Sequence, residues 1–131
     1  MASSIEFNVQ TSSRAEAVDI TREVENTLGE LSPERGVDVW VPHTTAGITV
    51  NESADPAVMT DLVDQLEEFI PWNNNYKHRE GNSAAHVKSV LLDCHQWLPV
   101  ENQSLQLGRW QGIFFMEFDG PRTRKVVVHE D

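Results

Sequence analysis

Residues 110–118, Trp-Gln-Gly-Ile-Phe-Phe-Met-Glu-Phe, constrain the fold of this chain more than any other stretch. At the two-residue period of a strand, Trp110, Gly112, Phe114, Met116 and Phe118 fall on one face and Ile113, Phe115 and Glu117 on the other. Both faces are largely apolar, so the strand is expected at the centre of the molecule or against a second subunit. Glu117 lies within this run, where a carboxylate is costly to bury unless it is paired, coordinating or protonated. That makes it a functional candidate. The plainer reading is a strand-end carboxylate that faces solvent or bridges Arg122 or Arg124 across the following hairpin.

Flanking segments alternate in the same way. Ile5 to Val9 and Ala15 to Ile20 read as strands, as do Val37 to Val41 and Ala46 to Val50, separated at Pro42. Trp97 to Val100, Leu105 to Leu107 and Thr123 to His129 add three more. Ile20, Val24, Leu28 and Leu31 recur at helical spacing before Ser32-Pro33, which predicts a helix of about ten residues. Asp55-Pro56 opens a second helix, because the Asp accepts orphan amide protons and the Pro has none to lose. Its apolar stripe is Met59, Leu62, Val63, Leu66, Phe69 and Ile70, its wet face Asp61, Asp64, Glu67 and Glu68, and Pro71 ends it. Ser83 is expected to cap a short third helix with Ala84, Val87, Val90 and Leu91 facing inward. Asp119-Gly120-Pro121 turns the chain into its last strand. Helices and strands segregate, so the expected fold class is α+β, with a large mixed or antiparallel sheet flanked by about three helices.

A chain of 131 residues, 39% hydrophobic and without repeats or linkers, fits one domain over residues 1–131. Ten Lys and Arg against 21 Asp and Glu give a net charge of −11, which argues against a nucleic-acid partner, because such binding rests on clustered bases. No apolar run reaches the roughly 18 residues of a membrane span, and residues 1–10 lack a signal-peptide layout. A cytoplasmic protein with no membrane partner is expected. Lys77, Lys88 and Lys125 are the only lysines, and a lysine-poor acidic surface would suit a high-salt cytoplasm in which charge repulsion is screened. Cys94 adjoins His95, but strand neighbours point apart, which favours an inert thiol.

Three groups of residues carry chemistry. His43, His78 and His86 lie in segments rich in Gly, Asn, Thr and Ser, and three imidazoles with an open position form catalytic zinc sites; hydrogen-bonded loop histidines are the bland alternative. Asn51, Glu52, Asp55, Glu80, Asn82, Glu117 and Asp119 supply carboxylates and amides, with Asp55 favoured as a helix cap. Thr44, Thr45, Gly47, Gly81 and Ser83 offer hydroxyls and amides, and Arg122 and Arg124 offer guanidinium forks. With the helix N-terminus near Ser83, this third group suits a phosphate or diphosphate ester.

Three blocks, residues 42–52 (Pro-His-Thr-Thr-Ala-Gly-Ile-Thr-Val-Asn-Glu), residues 78–86 (His-Arg-Glu-Gly-Asn-Ser-Ala-Ala-His) and residues 105–113 running into Glu117 and Asp119 to Arg122, resemble the YjbQ-like family, also called secondary thiamine-phosphate synthase enzymes. The resemblance spans almost the whole chain. It implies a compact α+β homotrimer with a histidine cluster near the subunit boundary, in which His43, His78 and His86 hold a divalent metal, zinc or, for a diphosphate, magnesium. Around them it places Glu52, Glu80, Glu117 and Asp119 as catalytic acids. Thr44, Thr45, Gly47, Asn51, Asn82, Ser83, Arg122 and Arg124 form the substrate site. Arg109 stands where the pattern has a small Thr.

The implied reaction joins an aminopyrimidine diphosphate to a thiazole phosphate with release of diphosphate. Two further readings stand beside it. One is a zinc-dependent ester hydrolase with Glu80 or Glu117 as general base. The other is a non-catalytic metabolite-binding trimer.

Overall fold

The computed structural model describes residues 3–131. In chain order the elements are β1 (Ser4–Gln10), β2 (Glu16–Asp19), α1 (Thr21–Thr27), β3 (Gly36–Trp40), β4 (Ala46–Glu52), α2 (Pro56–Phe69), α3 (Ser83–Leu92), β5 (His95–Glu101), β6 (Ser104–Leu105), β7 (Gln111–Glu117) and β8 (Thr123–Glu130). The fold is α+β, as expected, with three helices among the described residues. Its strands divide into two sheets, ordered β1-β8-β3-β5-β6 and β2-β7-β4, and every pairing is antiparallel. No helix among the described residues is long and apolar enough to cross a membrane.

Strand β7 explains why one segment is apolar on both faces. It is the central strand of the smaller sheet, between β2 and β4. Ile113 and Phe115 join Val37, Val39, Val126 and Val128 of the larger sheet and Val24 and Leu28 of the α1 region in one core cluster. Phe114, Met116 and Phe118 join Met59 and Val63 of α2 and Ala85 of α3 in another. The domain is thus layered, with the five-stranded sheet below, the three-stranded sheet in the middle, and α2 and α3 above. Each face of β7 supplies one core.

Helix α2 begins as the sequence predicts, with Asp55 Oδ1 accepting from the Ala57 amide at 3.0 Å and Pro56 in the first turn. Its stripe is only partly covered, since Met59 and Val63 are buried whereas Phe69 is 73% exposed. Helix α1 is shorter than expected at seven residues, and the chain leaves it in a turn that still buries Leu28 and Leu31. The Leu105 to Leu107 strand reduces to the two-residue β6.

Helix α3 keeps Ala84 inward, as expected, but turns the other three residues of the expected apolar face outward. Ala84, Ala85, Lys88 and Ser89 face inward, while Val87, Val90 and Leu91 are exposed. The cause is close approach. A Cβ on Gly47 of β4 would lie 2.8 Å from the Asp93 carbonyl oxygen and 3.2 Å from Leu92 Cβ, and Ser89 Oγ donates to the Ala46 carbonyl at 2.6 Å. Only small side chains fit so near the sheet, so the larger apolar ones turn outward. Asn82, rather than Ser83, occupies the cap position, and neither side chain makes a capping bond.

Lys88 is the exception on the inner face. Its side chain is fully buried and its ammonium pairs with Glu67 of α2, lying 6.0 Å from the Phe118 ring centre. Glu67 also takes Arg14, whose guanidinium stacks over Trp72 at 4.3 Å. Glu67 therefore does not belong to the wet face on which its sequence position placed it. Burial opposes its ionisation, but the bonds from Lys88 and Arg14 prevail and hold its carboxyl below the usual range.

Candidate functional site

The β3–β4 connection carries Pro42-His43-Thr44-Thr45 over the end of the sheet sandwich, next to the start of β8. Together with Trp40, Val41, Cys94, Arg122 and Arg124 these residues line a cleft of about 490 Å³. A second hollow shares His43, Thr44 and Cys94 with it and adds His86, Ser89, Val90 and Asp93. The structure thus gathers His43, Thr44, Thr45, Arg122 and Arg124 in one place and sets His86 beside them.

Beneath the cleft lies a sealed ion pair. Alternation along β7 and β8 turns Glu117 and Arg124 into the space between the two sheets, and both are buried, at 0% and 3% exposure. Arg124 binds both carboxylate oxygens of Glu117, with Nε 2.8 Å from Oε2, and also donates to the Thr45 hydroxyl at 3.0 Å and the Thr45 carbonyl at 3.2 Å. Thr11 Oγ1 donates to Glu117 Oε2 at 2.9 Å, and the Asp119 amide donates to Oε1 at 3.0 Å. Burial pushes the Glu117 carboxyl upward, but Arg124, the Asp119 amide and the Thr11 hydroxyl outweigh it and hold the group below the ordinary carboxylate range. Glu117 is a fully bonded anion that fixes Arg124 and Thr45. The plainer sequence reading, a bridge to Arg124, describes it, and the expectation of a general base does not.

Asp119 continues the network, accepting from Asn82 Nδ2 at 2.9 Å and pairing with Arg122 at 3.2 Å. Asn82 Oδ1 is buried without a hydrogen-bond partner. Arg122 is held from below as well, because its amide donates to Thr11 Oγ1 at 2.9 Å. Half of its side chain remains exposed at the cleft.

His43 Nε2 accepts a bond from the Lys125 amide at 2.9 Å, which places the ring proton on Nδ1. Desolvation, then the positive charge of Arg124, lowers its pKa from the usual histidine value, against a smaller opposing effect of Glu117. His43 is a neutral Nδ1–H donor. His78 and His86 stack edge to face at 5.4 Å, and His78 Nε2 is 3.8 Å from Glu80 Oε1. Among the described residues, no group of three or more His, Cys, Asp or Glu side chains is placed to hold a metal. With His43 Nε2 already engaged, the three imidazoles do not form a zinc tripod within one chain.

Other expected site residues are elsewhere. Asn51 and Glu52 end β4, about 20 Å of strand away from Ala46. Asn51 Oδ1 accepts from the Glu52 amide at 2.7 Å, and Glu52 lines a separate cleft with Glu16, Asp19 and Asp64. Gly47 serves the approach of α3, Ser83 opens α3, and Glu80 is exposed. Arg109 stacks on Trp110 at 4.7 Å and does not line the cleft. Thr11 and Trp40 went unnoticed in the sequence. Thr11 lies 106 positions from Glu117 and only the fold joins them, whereas a Trp ending a strand beside Pro42-His43 was a signal that could have been taken.

A two-sheet α+β domain with a threonine- and arginine-lined cleft at the end of its sandwich is the class that fold and site define. The UPF0047 protein YjbQ-like family matches residues 5–130, and the chain belongs to that family. It is 51% identical over 124 residues to the UPF0047 protein YugU of Bacillus subtilis, covering 93% of this chain and 94% of that one. The UPF0047 protein MJ1081 of Methanocaldococcus jannaschii is 48% identical over 123 residues, covering 93% and 89%. Among solved structures, a YjbQ/UPF0047-family protein of Clostridium acetobutylicum has a TM-score of 0.92 at 47% identity, covering 97% of this chain and 99% of that one. A conserved hypothetical protein of Thermus thermophilus has a TM-score of 0.89 at 46% identity, with the same coverage of 97% and 99%.

Proposed function

We propose that the cleft binds the phosphate group of a small phosphorylated molecule. One observation carries this reading: in a chain of net charge −11, the cleft is lined by two arginines, two threonine hydroxyls and a neutral histidine donor, with no carboxylate among its lining residues. The Arg122 guanidinium, half exposed at the cleft, draws an anion in. Arg122 meets the phosphate, Thr44 and His43 Nδ1–H donate to its oxygens, and Arg124, pinned by Glu117, holds Thr45 in place.

The synthase-type reaction fits this arrangement as the finer proposal. A thiazole nitrogen attacks the pyrimidine methylene carbon, the C–N bond forms, and the C–O bond to diphosphate breaks with its electron pair leaving on the diphosphate. The donors of the cleft stabilise that developing charge. The ester-hydrolase alternative has less support, because Glu117 is bonded on both oxygens and Glu80 is exposed.

Titration with inorganic phosphate and methyl phosphate, followed by calorimetry or NMR, tests the anion site. Replacing Arg122 with Ala is expected to weaken methyl phosphate binding about tenfold or more, the worth of a charged hydrogen bond. No binding to the wild-type protein, or an affinity unchanged by Arg122→Ala, overturns the reading.

We also infer that copies of the chain meet on the outer face of α3, as a homotrimer would require. Phe69, Ile70, His86, Val87, Val90 and Leu91 line a shallow groove there without one Asp, Glu, Lys or Arg, and Val90 is 83% exposed. On so acidic a chain, a charge-free apolar face is where two copies can meet without like-charge repulsion. The groove shares His86 and Val90 with the hollow beside the cleft, so a neighbouring copy would sit next to the site. Light scattering is expected to show trimers of the wild type and monomers of Val90→Asp at micromolar concentration. A monomeric wild type, or a trimer indifferent to Val90→Asp, contradicts it.

A further inference from the structure

Around the phosphate cleft the hydrogen-bond acceptors of the chain are engaged by the chain itself. The Val41 carbonyl accepts from the His43 amide at 2.9 Å, and the Cys94 carbonyl from the Val41 amide at 2.7 Å. The Thr45 carbonyl takes the Phe118 amide at 3.3 Å and Arg124 at 3.2 Å. The Thr45 hydroxyl oxygen takes Arg124 at 3.0 Å, and His43 Nε2 takes the Lys125 amide at 2.9 Å. No Asp or Glu is among the residues that line the cleft. The carboxylates that pair with its arginines are committed, Glu117 on both oxygens to Arg124, and Asp119 to Arg122 and Asn82.

The donors are in the opposite condition. The amides of Thr44 and Thr45 donate to no described residue. Thr45 is buried at 6% exposure, and buried amides are nearly always paired, so its amide calls for an acceptor that the chain does not supply. Arg122 turns Nε and Nη2 to Asp119 at 3.0 and 3.2 Å, which leaves Nη1 open on a half-exposed side chain. With Nε2 engaged, His43 offers only its Nδ1–H.

A site whose open groups are donors discriminates by proton content. A fully ionised oxyanion presents acceptors only and matches it. A singly ionised phosphate ester still carries one P–OH, which is itself a donor. Turned inward, that hydroxyl faces other donors; turned outward, it leaves a ligand with one negative charge in place of two. Sulfate has the tetrahedral shape and double charge of a phosphate ester dianion and carries no proton near neutral pH. A carboxylate acceptor in the cleft would tell the two apart, by accepting from a P–OH and repelling sulfate.

Resting on the phosphate-site reading above, we propose that this cleft selects oxyanion groups that carry no acidic proton, taking the dianion of a phosphate ester and sulfate alike and discriminating against the singly ionised ester. The selection comes from the arrangement of open donors and engaged acceptors, and it names the ligand by its ionisation state.

Methyl phosphate and sulfate, titrated calorimetrically against the wild-type protein from pH 8 to pH 5, test this. At pH 8 sulfate is expected to bind within about threefold of methyl phosphate, since both offer the same charge to the same donors. The second ionisation of a phosphate monoester lies near pH 6, so methyl phosphate affinity should fall about tenfold across the range, as its dianion fraction does. Sulfate affinity should hold or rise. The titratable groups around the cleft are His43, Cys94, Arg122 and Arg124, with Glu117 and Asp119 paired to the arginines and His86 and Asp93 in the adjoining hollow. Protonating any of them makes the site more positive, which favours an anion, so a fall confined to methyl phosphate reports the ligand's own proton. A methyl phosphate affinity that does not fall, a parallel fall of both ligands, or sulfate binding more than about tenfold weaker than methyl phosphate at pH 8 overturns the selection while leaving the phosphate site standing. Failure of both probes to bind at pH 8 overturns the phosphate site and the selection together.

Discussion

Replacing Arg124 with Met is expected to destabilise the domain by about 3–5 kcal/mol, the cost of leaving a buried carboxylate without its cation. Domains of this size are stable by only about 5–15 kcal/mol, so the urea midpoint should fall by a large fraction of its wild-type value. Glu117 would keep the Thr11 hydroxyl and the Asp119 amide, but nothing would balance its charge between the sheets. A double replacement, Glu117→Leu with Arg124→Met, removes both charges and should recover much of the loss, since an apolar pair of similar volume often substitutes for a buried ion pair. The pH dependence distinguishes the two states. In the wild type Glu117 titrates below the usual range, so its contribution is complete above the ordinary carboxylate pKa and is lost as pH falls through its folded value. Without Arg124, burial, the largest influence on this group, is opposed only by the Asp119 amide and the Thr11 hydroxyl and raises the carboxyl, so the folded state binds the proton more tightly than the unfolded chain does. The difference in stability between variant and wild type should then shrink as the pH is lowered from 7 toward 4. A variant with the wild-type midpoint, or a constant deficit across that range, would show that the pair is not what holds this end of the sandwich.

Truncating Glu67 to Ala is the second large effect, about 3 kcal/mol or more, because it strands the fully buried ammonium of Lys88 between α2, α3 and Phe118. Lys88→Met at the other end of the same bond should cost much less. It removes the buried charge, keeps the length of the side chain, and leaves Glu67 partly exposed and still paired with Arg14. Glu67→Ala together with Lys88→Met should be more stable than Glu67→Ala alone. Parallel urea melts at neutral pH measure all four proteins. Equal losses from Glu67→Ala and Lys88→Met would mean that contact area, and not the stranded charge, sets the cost.

Much of the fold was legible because strands and helices announce themselves by period. The two-faced pattern at 110–118 placed β7 at the centre, and Asp55-Pro56 placed the start of α2. The orientation of α3 was not legible. Its apolar residues lie on both sides of the helix, and period alone cannot say that Gly47 admits only the side with Ala84, Ala85 and Ser89. Glu67 was misplaced for a related reason, since its partners Lys88 and Arg14 are 21 and 53 positions away. Of the residues that line the cleft, Thr44, Thr45, Arg122 and Arg124 could be named from residue type and neighbourhood, whereas Asn51 and Glu52 lie at the other end of β4, because proximity along an extended chain is not proximity in space.

By itself, the sequence determined the family, the α+β class, the central strand and the set of polar residues available for chemistry, all of which depend on local period and motif. Tertiary structure decided what those residues do. It turned Glu117 from a candidate base into the bonded anchor of Arg124 and set His43 with its Nε2 against the Lys125 amide. It also brought Thr11 under the start of β8. The physical reason is common to all three: the protonation and bonding of a buried polar group follow from the groups around it, and those arrive from distant parts of the chain only when the two sheets close.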